Sequence, residues 1–284
     1  IDVQDAGSAV MVLAEGTTNT LADGSSYADN GEDAATAALY SSDTLAITGT
    51  GSLDVTGSYK DGISSKNGLV IAGGPTITVK AADDGVRGKD YLLVSSGRLT
   101  VTAGGDGMKS SEDDDETRGF VALGAATVTV ASGDDGISAT TDVTVDGTTL
   151  SITAGGGQAS ATVSGQEPGQ GGPERGAPDQ DQSADSTEAD STPSPKGINA
   201  GVAYAQDSGS VTIDAADEGL QGAFVNVNGG SLDIASGDDG VNASNGDSTI
   251  EGYENADSES DDGSAITISG GRVQIDYSSS DGID

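Results

Sequence analysis

The chain has 284 residues, with 47 acidic side chains against 11 basic ones, no histidine and a formal charge of −36. Nucleic acid and anionic membrane surfaces are disfavoured, because phosphate binding needs clustered Lys and Arg. The natural counter-charges are metal cations, although plain solubility in an extracellular or salty medium also favours negative charge. Without Cys or His, disulfides, thiolate metal sites and histidine-dependent catalysis are absent, and hard, oxygen-ligated cations are favoured over zinc or copper. No apolar run approaches the roughly 18–20 residues that span a bilayer, so no membrane insertion is expected. Ile1 falls inside a repeat, so the sequence reads as a mature domain trimmed of any leader.

Along the chain the tripeptide Asp-Gly-aliphatic returns. An imperfect repeat around Ala38-Leu39 comes first, then Asp61-Gly62-Ile63, Asp84-Gly85-Val86, Asp106-Gly107-Met108 and Asp135-Gly136-Ile137. Lys196-Gly197-Ile198 and Glu218-Gly219-Leu220 are degenerate copies, followed by Asp239-Gly240-Val241 and Asp281-Gly282-Ile283. Four of the intervals between glycines are 21 to 23 residues and one is 29. Each unit carries an alternating stretch: Leu53/Val55, Ile77/Val79, Leu99/Val101, Val128/Val130, Leu150/Ile152, Val211/Ile213, Leu232/Ile234 and Val273/Ile275. Alternation with period two predicts strands with one buried face. A unit of about 22 residues cannot bury its own core, so neighbours must stack. The expected fold is all-β, a parallel β-helix of roughly nine coils, about 40 Å long at about 4.8 Å per coil. The whole chain, 1–284, is expected to be one such domain.

Two segments break the rhythm. Residues 156–196 are rich in Gly, Gln, Pro and Ser and read as a disordered-like loop spliced into one coil. Residues 244–263 form a second, acidic insertion, and 111–119 a smaller acidic excursion. Both chain ends fall mid-coil, which suggests unpaired strand edges and end-to-end self-association.

With the repeats aligned, Asp61, Asp84, Asp106, Asp135, Glu218, Asp239 and Asp281 share one column, and Asp83, Asp134, Asp217 and Asp238 its neighbour. Stacked like charges repel. Calcium resolves that repulsion geometrically, since twice a Ca–O distance of about 2.3–2.6 Å nearly equals the coil spacing. Candidate ligand sets lie between Asp61 and Asp83/Asp84, Asp84 and Asp106, Asp106 and Asp134/Asp135, and Asp217 and Asp238/Asp239. Lys196 makes its own coil the poorest site. The competing account is turn chemistry alone, with Asp bonding its own backbone and Gly taking positive φ.

The stretch Val12-Leu13-Ala14-Glu15-Gly16-Thr17-Thr18-Asn19-Thr20-Leu21-Ala22-Asp23-Gly24-Ser25, then Leu45 to Val55, then the Asp-Gly-Ile units, resembles the secreted bacterial carbohydrate-binding domain family. The resemblance implies a right-handed parallel β-helix related to pectate lyases, with calcium on its surface. It also implies an extracellular or cell-surface location and binding of cellulosic or acidic pectic polysaccharide. The family's Asp-Asp-Gly motif falls on Asp83-Asp84-Gly85, Asp134-Asp135-Gly136 and Asp238-Asp239-Gly240. Ser280-Asp281 departs from it.

Arg87 and Lys109 each stand two residues after a motif glycine. A pectate lyase needs calcium and a basic residue to take a proton from the sugar, so these two are the catalytic candidates if the chain is a lyase. Otherwise they are counter-ions of the ladder or, with Tyr59, contacts for sugar. A calcium-stiffened adhesin or structural surface module is the other alternative.

Overall fold

The structure, a computed structural model, describes residues 1–28, 34–161, 194–244, 263–277 and 280–284. The described residues form β-strands joined by short turns, with one turn of 3-10 helix at Gln158–Ser160. The period of the sequence appears directly as strand pairing. Val86–Gly88 lies between Asp61–Ser65 and Met108–Ser110, with Arg87 opposite Ser64 on one side and Lys109 on the other. In a second row Val79, Val101, Val130 and Ile152 stand in register, each one repeat from the next. All of these pairings are parallel, so the chain circles back between one strand and its neighbour. The architecture is all-β with parallel strands, compatible with a β-helix.

The buried face is the alternating aliphatic column. Ile77, Val79, Leu99, Val101, Val128, Val130, Leu150 and Ile152 are almost wholly enclosed, and so are Ile63, Val86, Met108 and Ile137 of the Asp-Gly-aliphatic units. β-branched and aliphatic side chains suit this pleated, half-buried surface. Tyr40 is also enclosed in the core, and Tyr204 is buried with its hydroxyl donating to Gln206 Oε1 at 2.9 Å.

The motif glycines are not turn glycines. Gly62, Gly85, Gly107 and Gly136 are not in the left-handed region. They face inward, and a Cβ at Gly107 would collide with Val130 Cγ1 and lie 2.6 Å from Gly136 O. A close approach of chain to chain, rather than positive φ, makes glycine necessary.

Most of the two long insertions, 162–193 and 245–262, lies outside the described residues. Across the first interval the pairing continues, with Ile137 opposite Ile198. Among the described residues no helix is long and apolar enough to cross a membrane.

Candidate metal and carbohydrate site

The acidic column is a physical stack. The amides of Gly62, Gly85, Gly107, Gly136, Gly197, Gly219 and Gly240 donate to the carbonyls of Asp84, Asp106, Asp135, Lys196, Glu218, Asp239 and Asp281 respectively. Each motif residue therefore sits directly beside its counterpart one repeat on, with Lys196 filling the acidic position between Asp135 and Glu218.

The side chains add a second set of bonds. Oδ1 of Asp84 accepts the amide of Asp106 at 3.0 Å, and Oδ1 of Asp106 accepts that of Asp135 at 3.1 Å. Asp135 accepts the Lys196 amide at 2.9 Å and Asp239 the Asp281 amide at 2.9 Å. These carboxylates satisfy main-chain donors of the neighbouring repeat, not of their own turn. That gives them a structural role of a different kind from an Asp-Gly turn.

Burial separates the two acidic columns. Asp61, Asp84, Asp106, Asp135 and Asp239 are 3–9% exposed. Asp83 and Asp238 are exposed, and Asp134 and Asp217 are half-buried. Burial, followed by the charge of Asp84, pushes the Asp61 carboxyl up to about 7. Burial likewise raises Asp135 to about 6, although the Lys196 amide and Asn199 pull the other way. Asp106 is also raised, burial outweighing Lys109.

Of the four ligand sets expected from the sequence, one gathers as a compact group. Asp106, Asp134 and Asp135 each bring a carboxylate oxygen within 4.8 Å of the others. That separation is about twice a Ca–O distance. Asp134 has no hydrogen-bond or ion-pair partner for its carboxylate among the described residues, and Asp106 and Asp135 keep lone pairs beyond those used above. Three hard oxygen donors of this kind fit calcium, which takes carboxylates and carbonyls, and do not fit a soft metal.

Lysines already occupy two of the other positions. The Lys109 ammonium lies 2.6 Å from Asp106 Oδ2 and 3.4 Å from Asp84 Oδ2, so it spans the Asp84–Asp106 step. Lys196 lies 2.5 Å from Glu218 Oε2 and 3.1 Å from Asp217 Oδ2. Burial and a hydrogen bond with Asp217 push Glu218 up to about 7. Against desolvation, hydrogen bonds from Glu218 and Ser194 and the Lys196 charge hold Asp217 down at about 2. Asp61 receives the Thr36 hydroxyl at 3.3 Å. Asp238, Asp239 and Asp217 adjoin through the backbone, the Asp238 amide donating to Asp217 O at 3.3 Å.

Arg87 is in register with Lys109, as its place in the repeat requires, and its guanidinium donates to Ser111 Oγ at 2.9 Å. Tyr59 is half-buried against Tyr27, ring centroids 5.0 Å apart. The sequence reading missed Asn199, whose side-chain amide donates to Asp135 Oδ2 at 3.1 Å, and Asn242, which reaches Glu218 Oε1 at 3.5 Å. Both stand two residues after a motif glycine, the position of Arg87 and Lys109, and that spacing was the available signal. Glu112, Asp113 and Asp114 make a second acidic group, but Glu112 is already paired with Lys89 at 3.0 Å.

The chain resembles a solved structure, the polysaccharide lyase-like protein from C. thermocellum, determined as a gadolinium derivative. The two share 30% identity with a TM-score of 0.52, over 55% of this chain and 63% of that one. The chain thus spans a little under two thirds of that relative's length. No curated protein sequence matches. The carbohydrate-binding domain-containing proteins match residues 1–240. By that match across most of its length, the chain belongs to the carbohydrate-binding domain-containing protein family.

Proposed function

We propose that the protein is an extracellular, calcium-binding polysaccharide-binding module. Its fold is read as a right-handed parallel β-helix of roughly nine coils, the hand following from the general preference of parallel crossovers. The observation that carries the calcium assignment is the convergence of Asp106, Asp134 and Asp135. The gadolinium derivative of the C. thermocellum relative is in keeping with it, because lanthanides, like calcium, seek hard oxygen donors. A bound calcium would invert the local charge of a very acidic surface and so make room for an anionic glycan such as a pectic uronate.

Binding is favoured over turnover by the place of Lys109. Its ammonium is held between two carboxylates, where a lyase base must be free to take a proton from the sugar. Glycan arrays read with calcium and with chelator test the function. Capture of polygalacturonate only with calcium supports the reading, and no capture of any glycan leaves the structural surface module in its place. New ultraviolet absorbance on incubation with polygalacturonate would restore the lyase. Calorimetric titration of chelated protein tests the metal, and no heat on adding calcium removes it. Fractionation of the native cells tests the location.

A further inference from the structure

Asp106 is shared between two cation positions. Its Oδ2 lies 2.6 Å from the Lys109 ammonium, and the same carboxylate belongs to the group formed with Asp134 and Asp135. The two positions lie on opposite sides of Asp106 along the ladder. Lys109 reaches back one repeat, to Asp84 Oδ2 at 3.4 Å, whereas Asp134 and Asp135 belong to the repeat that follows.

The two carboxylates that Lys109 touches are not equal. The ammonium is closer to Asp106 than to Asp84. Asp84 Oδ1 is taken by the Asp106 amide, and among the described residues Lys109 is the only partner of Asp84 Oδ2. Asp84 is 6% exposed, so little water reaches it to replace a counter-ion. The lysine stem starts beside the ladder, in register with Arg87 and Ser138, and its ammonium is already within ion-pair distance of both carboxylates. Moving wholly to Asp84 takes rotation about side-chain bonds and no change of backbone.

Lys196 is arranged differently. It fills an acidic position of the column itself and pairs with Asp217 and Glu218, which are neighbours in the chain. Among the described residues its ammonium shares no carboxylate with the Asp106 group.

A divalent cation held by Asp106, Asp134 and Asp135 repels an ammonium on Asp106 Oδ2. We propose that Lys109 is a built-in counter-ion that calcium moves: it rests on Asp106 in the metal-free protein and passes to Asp84 when calcium takes Asp106, Asp134 and Asp135. Asp84 is then a positioning residue. It favours calcium without touching it, by offering the displaced ammonium a second partner. In both states neither carboxylate of the Asp84–Asp106 step is left without a positive partner. The inference rests on the calcium reading above and concerns how that site is controlled.

The experiment is calorimetric titration of the chelated full chain with calcium, for the wild type, Asp84→Asn, Lys109→Met and the double variant. Asparagine keeps the oxygen that accepts the Asp106 amide. The expected result is a calcium affinity about tenfold lower for Asp84→Asn than for the wild type, because the ammonium then has no second partner. With methionine at position 109 the same substitution should cost about threefold or less, the effect of one charge removed at a distance. Lys109→Met alone should bind calcium more tightly than the wild type, since no ammonium contends for Asp106. An equal loss from Asp84→Asn in both backgrounds makes Asp84 a direct ligand and overturns the proposal, while the calcium reading stands. Should Asp84→Asn fail to fold, two measurements carry the test. Unchanged or weaker calcium affinity of Lys109→Met overturns the proposal. So does faster acylation of Lys109 by acetic anhydride with calcium than with EDTA, read by peptide mass in the wild type, because it shows release to solvent. An ammonium handed to Asp84 is acylated no faster. A wild-type protein that gives no heat with calcium removes the calcium reading and this inference with it.

Discussion

The amide of Asp106 donates to Oδ1 of Asp84, one repeat earlier, at 3.0 Å, and Asp106 in turn receives the amide of Asp135 at 3.1 Å. Each buried carboxylate thus ties one repeat to the next before any cation is considered. The two roles are separable. Asp106→Ala leaves a buried amide unsatisfied and is expected to cost about 1–3 kcal/mol in metal-free protein. Asp106→Asn keeps an oxygen acceptor at that amide and is expected to cost far less, yet to lose calcium binding as fully as the alanine variant. Urea unfolding and calcium titration of both proteins check this. Equal instability of the two variants would show that amide capping is not what the carboxylate does.

The motif glycines are set by packing. Gly107→Ala drives a methyl group into Val130 Cγ1 and toward Gly136 O, an overpacking expected to cost about 1–3 kcal/mol or more. Adding Val130→Ala removes one of the two clashes, so the double variant should be less destabilised than the sum of the singles. Gly74→Ala is the control: its φ is 89° and nothing lies within 4 Å of the new Cβ. Its cost is backbone strain alone, and it should show no coupling to Val130→Ala. Strict additivity of Gly107→Ala with Val130→Ala would contradict the packing account.

Lys109 acts as a tethered counter-ion between Asp84 and Asp106. Lys109→Met leaves those two buried carboxylates facing each other. The pair lies between the exposed and buried extremes, so a loss of about 1–3 kcal/mol is expected without metal. Calcium should raise the melting temperature of Lys109→Met more than that of the wild type, because a divalent ion can take the place of the ammonium. An equal rise in both proteins would mean that Lys109 does not compete with metal.

The ladder also sets a pH dependence. Burial raises Asp61 to about 7 and Asp135 to about 6 in the fold, from the ordinary aspartate value of 3.8. Between about pH 4 and 7 the folded chain keeps protons that the unfolded chain has released, so metal-free stability falls as pH rises. The depressed Asp217 acts in the opposite sense, but its contribution is complete by about pH 4 and is lost only as pH falls toward 2. Melting temperatures in EDTA should therefore decline from pH 4.5 to 7, and calcium, which binds the ionised carboxylates, should flatten the decline. A rise in metal-free stability over that window would exclude this account.

Much of the architecture was legible in the order of residues. A side-chain period of two fixes which of Ile77, Thr78 and Val79 turn inward, and a repeat of about 22 residues fixes which strands become neighbours. The same alignment put the Asp column and the gap at Lys196 in the right places, and the backbone bonds from the Gly136 amide to Lys196 O and from the Gly197 amide to Glu218 O follow it. Calcium chemistry was legible only as a possibility of charge and spacing. The turn reading of the Asp-Gly pair did not survive, because a glycine needed for positive φ and a glycine needed for close approach look alike in a sequence.

What the sequence by itself determined is the repeat: the buried aliphatic columns, the acidic stack and its interruption. Those depend on position along the chain, which alternation and period specify completely. The tertiary structure decided which member of each Asp doublet turns inward, so that Asp84 is buried while Asp83 is exposed. It also decided that a flexible lysine stem places its charge between Asp84 and Asp106, and that Asp134 joins Asp106 and Asp135. Tyr91 and Phe120, 29 residues apart across the acidic excursion, became neighbours in the same way. Each of these depends on where side chains end rather than where they begin, and that is settled only when adjacent repeats pack.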